Sequence, residues 1–270
     1  MKSNVTTQLM HHLYYSPWSK RIVRRLARSR KPGSVVKIPF GALRHNLWPI
    51  GANQPSCFWL GIYELAVQEV LVDYLKPRQV FYDIGANCGF FSLLGAQQVT
   101  QQGQVFAFEP DTDCLSALHT SIDINHIEHV HVIAQAVSNC SGRAAFVKGN
   151  SASTSRLISS MDEIDAKNTL SNVMTTTLDE FIQLHPAPDI IKIDIEGAEV
   201  QALEGAQSLM DGPSPPIWLV ETHGPECKRF VTDTLCKANY TVLEIEESTL
   251  LSRRNHHLLG LPLGSTPGKH

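Results

Sequence analysis

Two short runs in this chain of 270 residues concentrate side chains that could do chemistry. The first is Val80-Phe81-Tyr82-Asp83-Ile84-Gly85-Ala86-Asn87-Cys88-Gly89-Phe90. An apolar strand carries one carboxylate, Asp83, into a turn whose two glycines let the backbone approach a neighbour closely. The spacing is G-x-x-x-G, without the central glycine of a dinucleotide fingerprint. That argues against a pyrophosphate seated on the turn, whereas an acid at a strand end suits a cationic ligand. The blander reading is a tight strand-to-helix turn in which Asp83 satisfies backbone donors. Glu109 ends the next apolar strand and could accept both hydroxyls of an adenosine ribose; followed by Pro110-Asp111 it could also simply cap that strand.

The second run is Ile191-Lys192-Ile193-Asp194-Ile195-Glu196-Gly197-Ala198-Glu199. Asp194 and Glu196, two apart on one face of a strand end, concentrate like charge where water is partly excluded, which a site explains better than structural economy does. Glu199 reads as an acid stabilising the first turn of the next helix through its dipole. Further on, Trp218-Leu219-Val220-Glu221-Thr222-His223 ends a strand with a carboxylate and an imidazole, and a histidine there could act as a general base. The other histidines, His256-His257 among them, sit mostly in polar runs and read as surface residues.

These residues need strands and helices to hold them. Apolar spacing predicts a helix from Gly61 to Leu75, a strand over Val80–Ile84 and a helix over Phe90–Val99. A strand over Val105–Phe108 and a helix reaching about Ile124 follow, then a third strand from Val130 to Val137, interrupted by Gln135. Later come strands at Ile190–Ile195 and Ile217–Val220, with helices starting near Ala198 and Glu226. Thr177 and Glu180 read as a capping box opening a helix over Leu178–Leu184. The polar stretch 148–177 is too long for an ordinary connection and reads as a covering loop or a disordered insertion. Strands alternating with helices mean an α/β fold with parallel βαβ units, whose ligands bind beyond the carboxyl ends of the strands.

Composition narrows the class. With 43% hydrophobic and 18% charged residues the chain is globular, and no apolar run approaches a membrane span. Six scattered cysteines without a C-x-x-C pair suggest a reduced, cytoplasmic chain and no zinc site. Residues 1–63 hold ten Lys or Arg and no acid; the remainder sets thirteen bases against all 26 acids, which does not fit a nucleic-acid clamp. In the basic arm, Trp18, Ile22, Val23 and Leu26 fall on one helical face and Arg21, Arg24, Arg25 and Arg28 on the other. Over residues 18–28 that pattern is open to weak membrane-surface contact, to packing on the chain's own domain, to a transit segment or to a solvated tail.

Together the motifs resemble the FkbM-type methyltransferases: G-I-Y-E at 61–64, D-I-G-A-N-C-G-F-F at 83–91, F-E-P at 108–110, T-L-D-E-F at 177–181, K-I-D-I-E-G-A-E at 192–199 and V-E-T-H at 220–223. The resemblance implies a class I methyltransferase fold, Rossmann-like, with a seven-stranded, mostly parallel sheet and helices on both faces. It implies S-adenosylmethionine as cofactor and O-methylation of a hydroxyl on a sugar, glycolipid or natural product. By it, Asp83, Gly85, Ala86, Asn87, Gly89 and Glu109 bind the cofactor, Glu64 approaches it, and Gln135 and Ala136 lie near the adenine. His223 is expected as the base, with Asp194 and Glu196 positioning a small-molecule or glycan acceptor. The methyltransferase domain is expected over residues 61–262, after a basic extension and connecting segment (1–60) and before a tail (263–270). A nicotinamide-dependent oxidoreductase and a non-catalytic S-adenosylmethionine-binding protein remain as alternatives.

Overall fold

Strands that are apolar at nearly every position must be covered on both faces, and the computed structural model shows them so. It describes residues 5–16, 18–27, 30–51, 54–148, 156–157, 169–245 and 255–264. The chain opens with α1 (Val5–Tyr15) and α2 (Lys20–Ala27), a hairpin of β1 (Val35–Lys37) and β2 (Leu47–Pro49), then α3 (Ser56–Leu60) and α4 (Leu65–Tyr74). Next come β3 (Val80–Ile84), α5 (Phe90–Val99), β4 (Gln104–Phe108), α6 (Thr112–Ile124), β5 (Val130–Ile133) and β6 (Ala136–Val137). They are followed by β7 (Gly142–Lys148), β8 (Arg156–Leu157), β9 (Thr169–Thr176), α7 (Leu178–Phe181) and β10 (Ile190–Ile193). The last elements are α8 (Glu199–Glu204), α9 (Gln207–Met210), β11 (Ile217–His223), α10 (Pro225–Lys237), β12 (Tyr240–Ile245) and β13 (Asn255–Pro262).

Seven strands form one sheet in the order β12-β13-β11-β10-β3-β4-β5. Pairing is parallel from β11 through β5, and β13 runs antiparallel to both its neighbours. This is the mostly parallel seven-stranded sheet that the resemblance implies. Alternate residues feed two cores. Phe81, Val105 and Leu219 pack on one side with α4 and α5, while Tyr82, Phe106, Trp218 and Val220 pack on the other with α7 to α10. Ile38, Leu43 and Trp48, from the segment expected to be an extension outside the methyltransferase domain, are fully buried in the first core.

Several element boundaries differ from the sequence expectation. The helix expected over Gly61–Leu75 begins only at Leu65: Gly61 instead caps α3 in a left-handed turn (φ 74), and a Cβ there would meet the Phe40 carbonyl oxygen at 2.0 Å. The third strand breaks between Ile133 and Ala136, so β5 stays in the main sheet while β6 joins a second sheet, β6-β9-β7-β8. Thr177 caps α7 by accepting from the Glu180 amide at 3.0 Å, but the helix stops at Phe181. Part of the polar 148–177 stretch forms β9, paired with β7; residues 149–155 and 158–168 lie outside the described residues. The strands β12 and β13 were not anticipated. No helix among the described residues is long and apolar enough to cross a membrane.

Candidate active site

Sheet register places the two chemical runs side by side, because β10 lies against β3 with Lys192 opposite Asp83. On the glycine-turn side, the amides of Gly85 and Ala86 both donate to the Phe108 carbonyl (3.0 and 2.9 Å), pinning the turn to the end of β4. Asn87 takes a left-handed backbone (φ 51), which Asn tolerates better than most residues, and its amide donates to Glu109 Oε2 at 2.8 Å. Glu109 Oε1 accepts from the Asp111 amide at 2.8 Å. The carboxyl is only 6% exposed, and burial pushes its pKa up to about 7 against those two amide bonds. Asp83 is 1% exposed; Oδ2 accepts from the Ser92 hydroxyl at 2.6 Å, and Oδ1 has no hydrogen-bond partner among the described residues. Burial raises the Asp83 pKa and the Lys192 charge opposes the rise.

Gly85 earns its place differently from the sequence expectation. A Cβ on it (φ 82) would lie 1.9 Å from the Asp194 carbonyl oxygen, so the closely approaching neighbour is the other motif's backbone. Gly89 caps α5 at φ 92 over the Leu118 side chain. Ala86 and Ala136 are buried, and the half-buried Gln135 stands at the break between the two sheets.

On the other side, atoms of Asp194, Glu196 and His223 gather within 4.8 Å of one another. Lys192 Nζ lies 3.3 Å from Asp194 Oδ2 and 4.8 Å from the centre of the Phe91 ring. Burial, then the Glu221 charge, raises the Asp194 pKa to about 6; burial, then Asp194, raises that of Glu196 to about 7. Glu196 holds a left-handed backbone (φ 54).

Glu199 was undervalued by the sequence reading. It stands in the first turn of α8 as expected, but its carboxylate is 0% exposed and lies 2.8 Å from His223 Nδ1. It also accepts from the Gly197 amide at 3.0 Å. Burial would raise its pKa, yet the hydrogen bond and charge of His223 hold it below the ordinary range. His223 Nε2 lies 3.3 Å from Glu196 and 3.7 Å from Glu221, with no hydrogen-bond partner among the described residues. Burial would lower the His223 pKa, but the bond to Glu199 and the surrounding carboxylates raise it to about 9. An open groove of about 520 Å³ runs from His223 along α10 past Arg229, Phe230 and Lys237.

The surface reading of His257 is corrected. It pairs directly with Glu221 across β11 and β13, is buried, and sets Nε2 3.5 Å from both Glu64 and Glu221. Burial lowers and the two carboxylates raise its pKa, to about 10. The alternation of β13 was the available signal: His257, Leu259 and Leu261 share one face of the strand.

Comparison with known proteins adds a family to this geometry. The pattern of the methyltransferase FkbM domain matches residues 83–248. A hexuronic acid methyltransferase, AglP of Haloferax volcanii, is 24% identical over 199 residues, covering 72% of this chain and 78% of that protein. Among solved structures, a methyltransferase FkbM from Methylobacillus flagellatus KT shares 20% identity over 76% of this chain and 52% of its own, with a TM-score of 0.49. A precorrin-6y C5,15-methyltransferase from Geobacter metallireducens GS-15 shares 12% identity over 74% of this chain and 90% of its own, with a TM-score of 0.48.

Proposed function

The chain belongs to the FkbM methyltransferase family, and from that premise we propose that it methylates a hydroxyl oxygen of a sugar or sugar-bearing acceptor, using S-adenosylmethionine. The hexuronic acid methyltransferase relative supports a glycan acceptor. The residues of the glycine-turn side fit the cofactor. Asp83 Oδ1 is a buried acceptor without a hydrogen-bond partner among the described residues, suited to a cationic group, and Glu109 is a buried carboxylate with lone pairs left for hydroxyls. Gly85, Ala86, Asn87 and Gly89 form the turn after Asp83, and with Gln135, Ala136 and Glu64 they would hold the rest of the cofactor. When bound, S-adenosylmethionine supplies a methyl carbon made electrophilic by its sulfonium.

The observation that carries the reading is the Glu199–His223 pair. A carboxylate accepting at Nδ1 fixes the proton there and leaves Nε2 as the basic nitrogen once His223 is neutral. In the proposed reaction Nε2 takes the proton of the acceptor hydroxyl, while Asp194 and Glu196 orient the acceptor so that its oxygen is aligned for an in-line displacement. Thermal melting of the full-length protein with S-adenosylhomocysteine, followed by a methyl-transfer screen over glycans and glycolipids, tests this. A rise in Tm with S-adenosylhomocysteine and methyl incorporation into a glycan are expected. Stabilisation by NADH in its place would overturn the reading.

We also propose that this cytoplasmic enzyme touches an anionic membrane surface through its amino-terminal arm. Trp18, in the turn before α2, is 93% exposed and Ile22 of α2 67% exposed, beside the exposed Arg21 and Arg25, whereas Val23 of α2 packs onto the domain. The side chain of Leu26 lies outside the described residues. Bases flanking exposed apolar groups, with no acid before Glu64, complement an anionic lipid surface.

A further inference from the structure

Beyond the methyl-transfer residues, three side chains from distant segments converge at one point of the cleft. Glu64 is the N-terminal cap of α4, held at φ 42 and ψ 64; Glu221 lies near the end of β11; His257 lies opposite it on β13. We infer that Glu64, Glu221 and His257 form a binding site for one divalent cation.

The spacing is the first observation. His257 Nε2 stands 3.5 Å from an oxygen of each glutamate, outside hydrogen-bonding geometry for either, and one ligand atom from each residue lies within 4.8 Å of the others. Donor atoms each about 2.0–2.3 Å from a shared ion stand apart on this scale. Burial is the second, independent observation. The His257 side chain is 8% exposed and aims Nε2 between the two carboxylates, and neither that nitrogen nor Glu64 Oε2 has a hydrogen-bond partner among the described residues. A buried polar atom in a native fold ordinarily has a partner, and a cation would serve both of these at once.

Charge points the same way. Asp194, Glu196 and Glu199 lie close by; among the described residues Lys192 is the buried lysine beside them, and a cation at this point would take the place of the proton that Glu64 and Glu221 favour on His257. Two carboxylates and one imidazole are hard-to-borderline donors, suited to Mn²⁺ or Zn²⁺ rather than to a soft ion. The sequence expectation of no metal rested on cysteine spacing, which an oxygen and nitrogen donor set bypasses. Three protein ligands leave coordination positions open for water or a hydroxyl. The second oxygen of Glu221 lies 3.7 Å from His223 Nε2, so the ion would sit next to the proposed base. A role in holding the acceptor hydroxyl rests on the proposed function; the existence of the site does not.

The test uses the full-length protein, stripped with a chelator and titrated with MnCl2, reading free Mn²⁺ by electron paramagnetic resonance and Tm in parallel. About one equivalent of Mn²⁺ bound with saturation is expected, with a rise in Tm. His257→Gln and, separately, Glu64→Gln should weaken binding at least about tenfold while circular dichroism shows both variants folded. Glu196→Gln, in the neighbouring triad, should keep the stoichiometry. Absence of saturable binding up to millimolar Mn²⁺ would overturn the inference, and so would loss of binding in Glu196→Gln with retention in His257→Gln. S-adenosylhomocysteine binding, measured on the same preparation, separates failure of the cation site from failure of the methyltransferase reading.

Discussion

Around the glycine turn, Asp83, Asn87 and Glu109 come from one βαβ unit, and most of their polar atoms are tied to nearby amides or a hydroxyl. Around His223, the groups arrive from the ends of α4 and β10 and from α8, β11 and β13, and two imidazole nitrogens are left without hydrogen-bond partners among the described residues. The first region is preformed by local backbone geometry and gains little by changing. The second is assembled by the whole fold, and its mutual repulsions and unmet bonds are resolved only by a proton or a ligand. Such perturbed titrating groups gather where chemistry is done. Under the proposed function the first side binds the cofactor and the second carries the reaction, and the division can be tested by mutating each side separately.

The largest effect is expected on the reactive side. His223→Ala should lower kcat by ~10²–10⁴-fold with the acceptor supplied, while the Tm rise given by S-adenosylhomocysteine persists. Loss of that rise would show that the two regions are not separable. Next, Glu109→Ala or Asp83→Asn should abolish most of the ligand-induced Tm rise, which for wild type at 100 times Kd reflects about 2.7 kcal/mol. The apo variants should stay folded, and melting curves with and without ligand decide it.

A smaller but sharper effect lies in pH. Free His223 has its pKa raised to about 9, so log kcat/KM should climb from neutral pH and level off near 9, and His223→Gln should remove that limb. A limb near 7 would instead mark Glu196 as the base. Stability carries the same signature. A raised histidine binds more protons folded than unfolded, so its contribution is complete below about 6.5 and lost as pH rises through 9. Glu109, raised to about 7, likewise makes stability fall as pH rises from the ordinary glutamate range through 7. Tm followed against pH in wild type, His223→Gln and Glu109→Gln separates the two windows. The smallest effect concerns the arm, outside both regions. The pair Trp18→Ser with Ile22→Ser should reduce sedimentation with anionic vesicles at low salt without changing S-adenosylhomocysteine binding.

The same division explains what the sequence could disclose. Asp83, Gly85, Asn87 and Glu109 were legible as candidates because their partners are a few residues away or one strand over, in a unit with a recognisable rhythm. Asp194, Glu196 and His223 were legible as candidates, since charge at the end of an apolar strand is conspicuous. Their partners were not. Glu199 looked like a helix-start acid because local sequence explains it so well, and only the return of β11 brings His223 to it. His257 passed for one of a polar pair because its burial depends on an antiparallel strand inserted between β12 and β11. Lys192 was given no role in the sequence analysis, because its partnership with Asp83 depends on the two strands lying side by side in the sheet. Local rules reach one βαβ unit; electrostatic neighbourhoods are set by strand order.

The contact between Gly85 and the Asp194 carbonyl has a mechanical consequence. Any side chain at position 85 would push first on the Asp194 loop. A displacement of the turn is therefore passed directly to the backbone at Asp194. Under the proposed function, substitutions aimed at acceptor choice belong on the groove wall along α10, at Arg229 and Lys237, rather than at the turn.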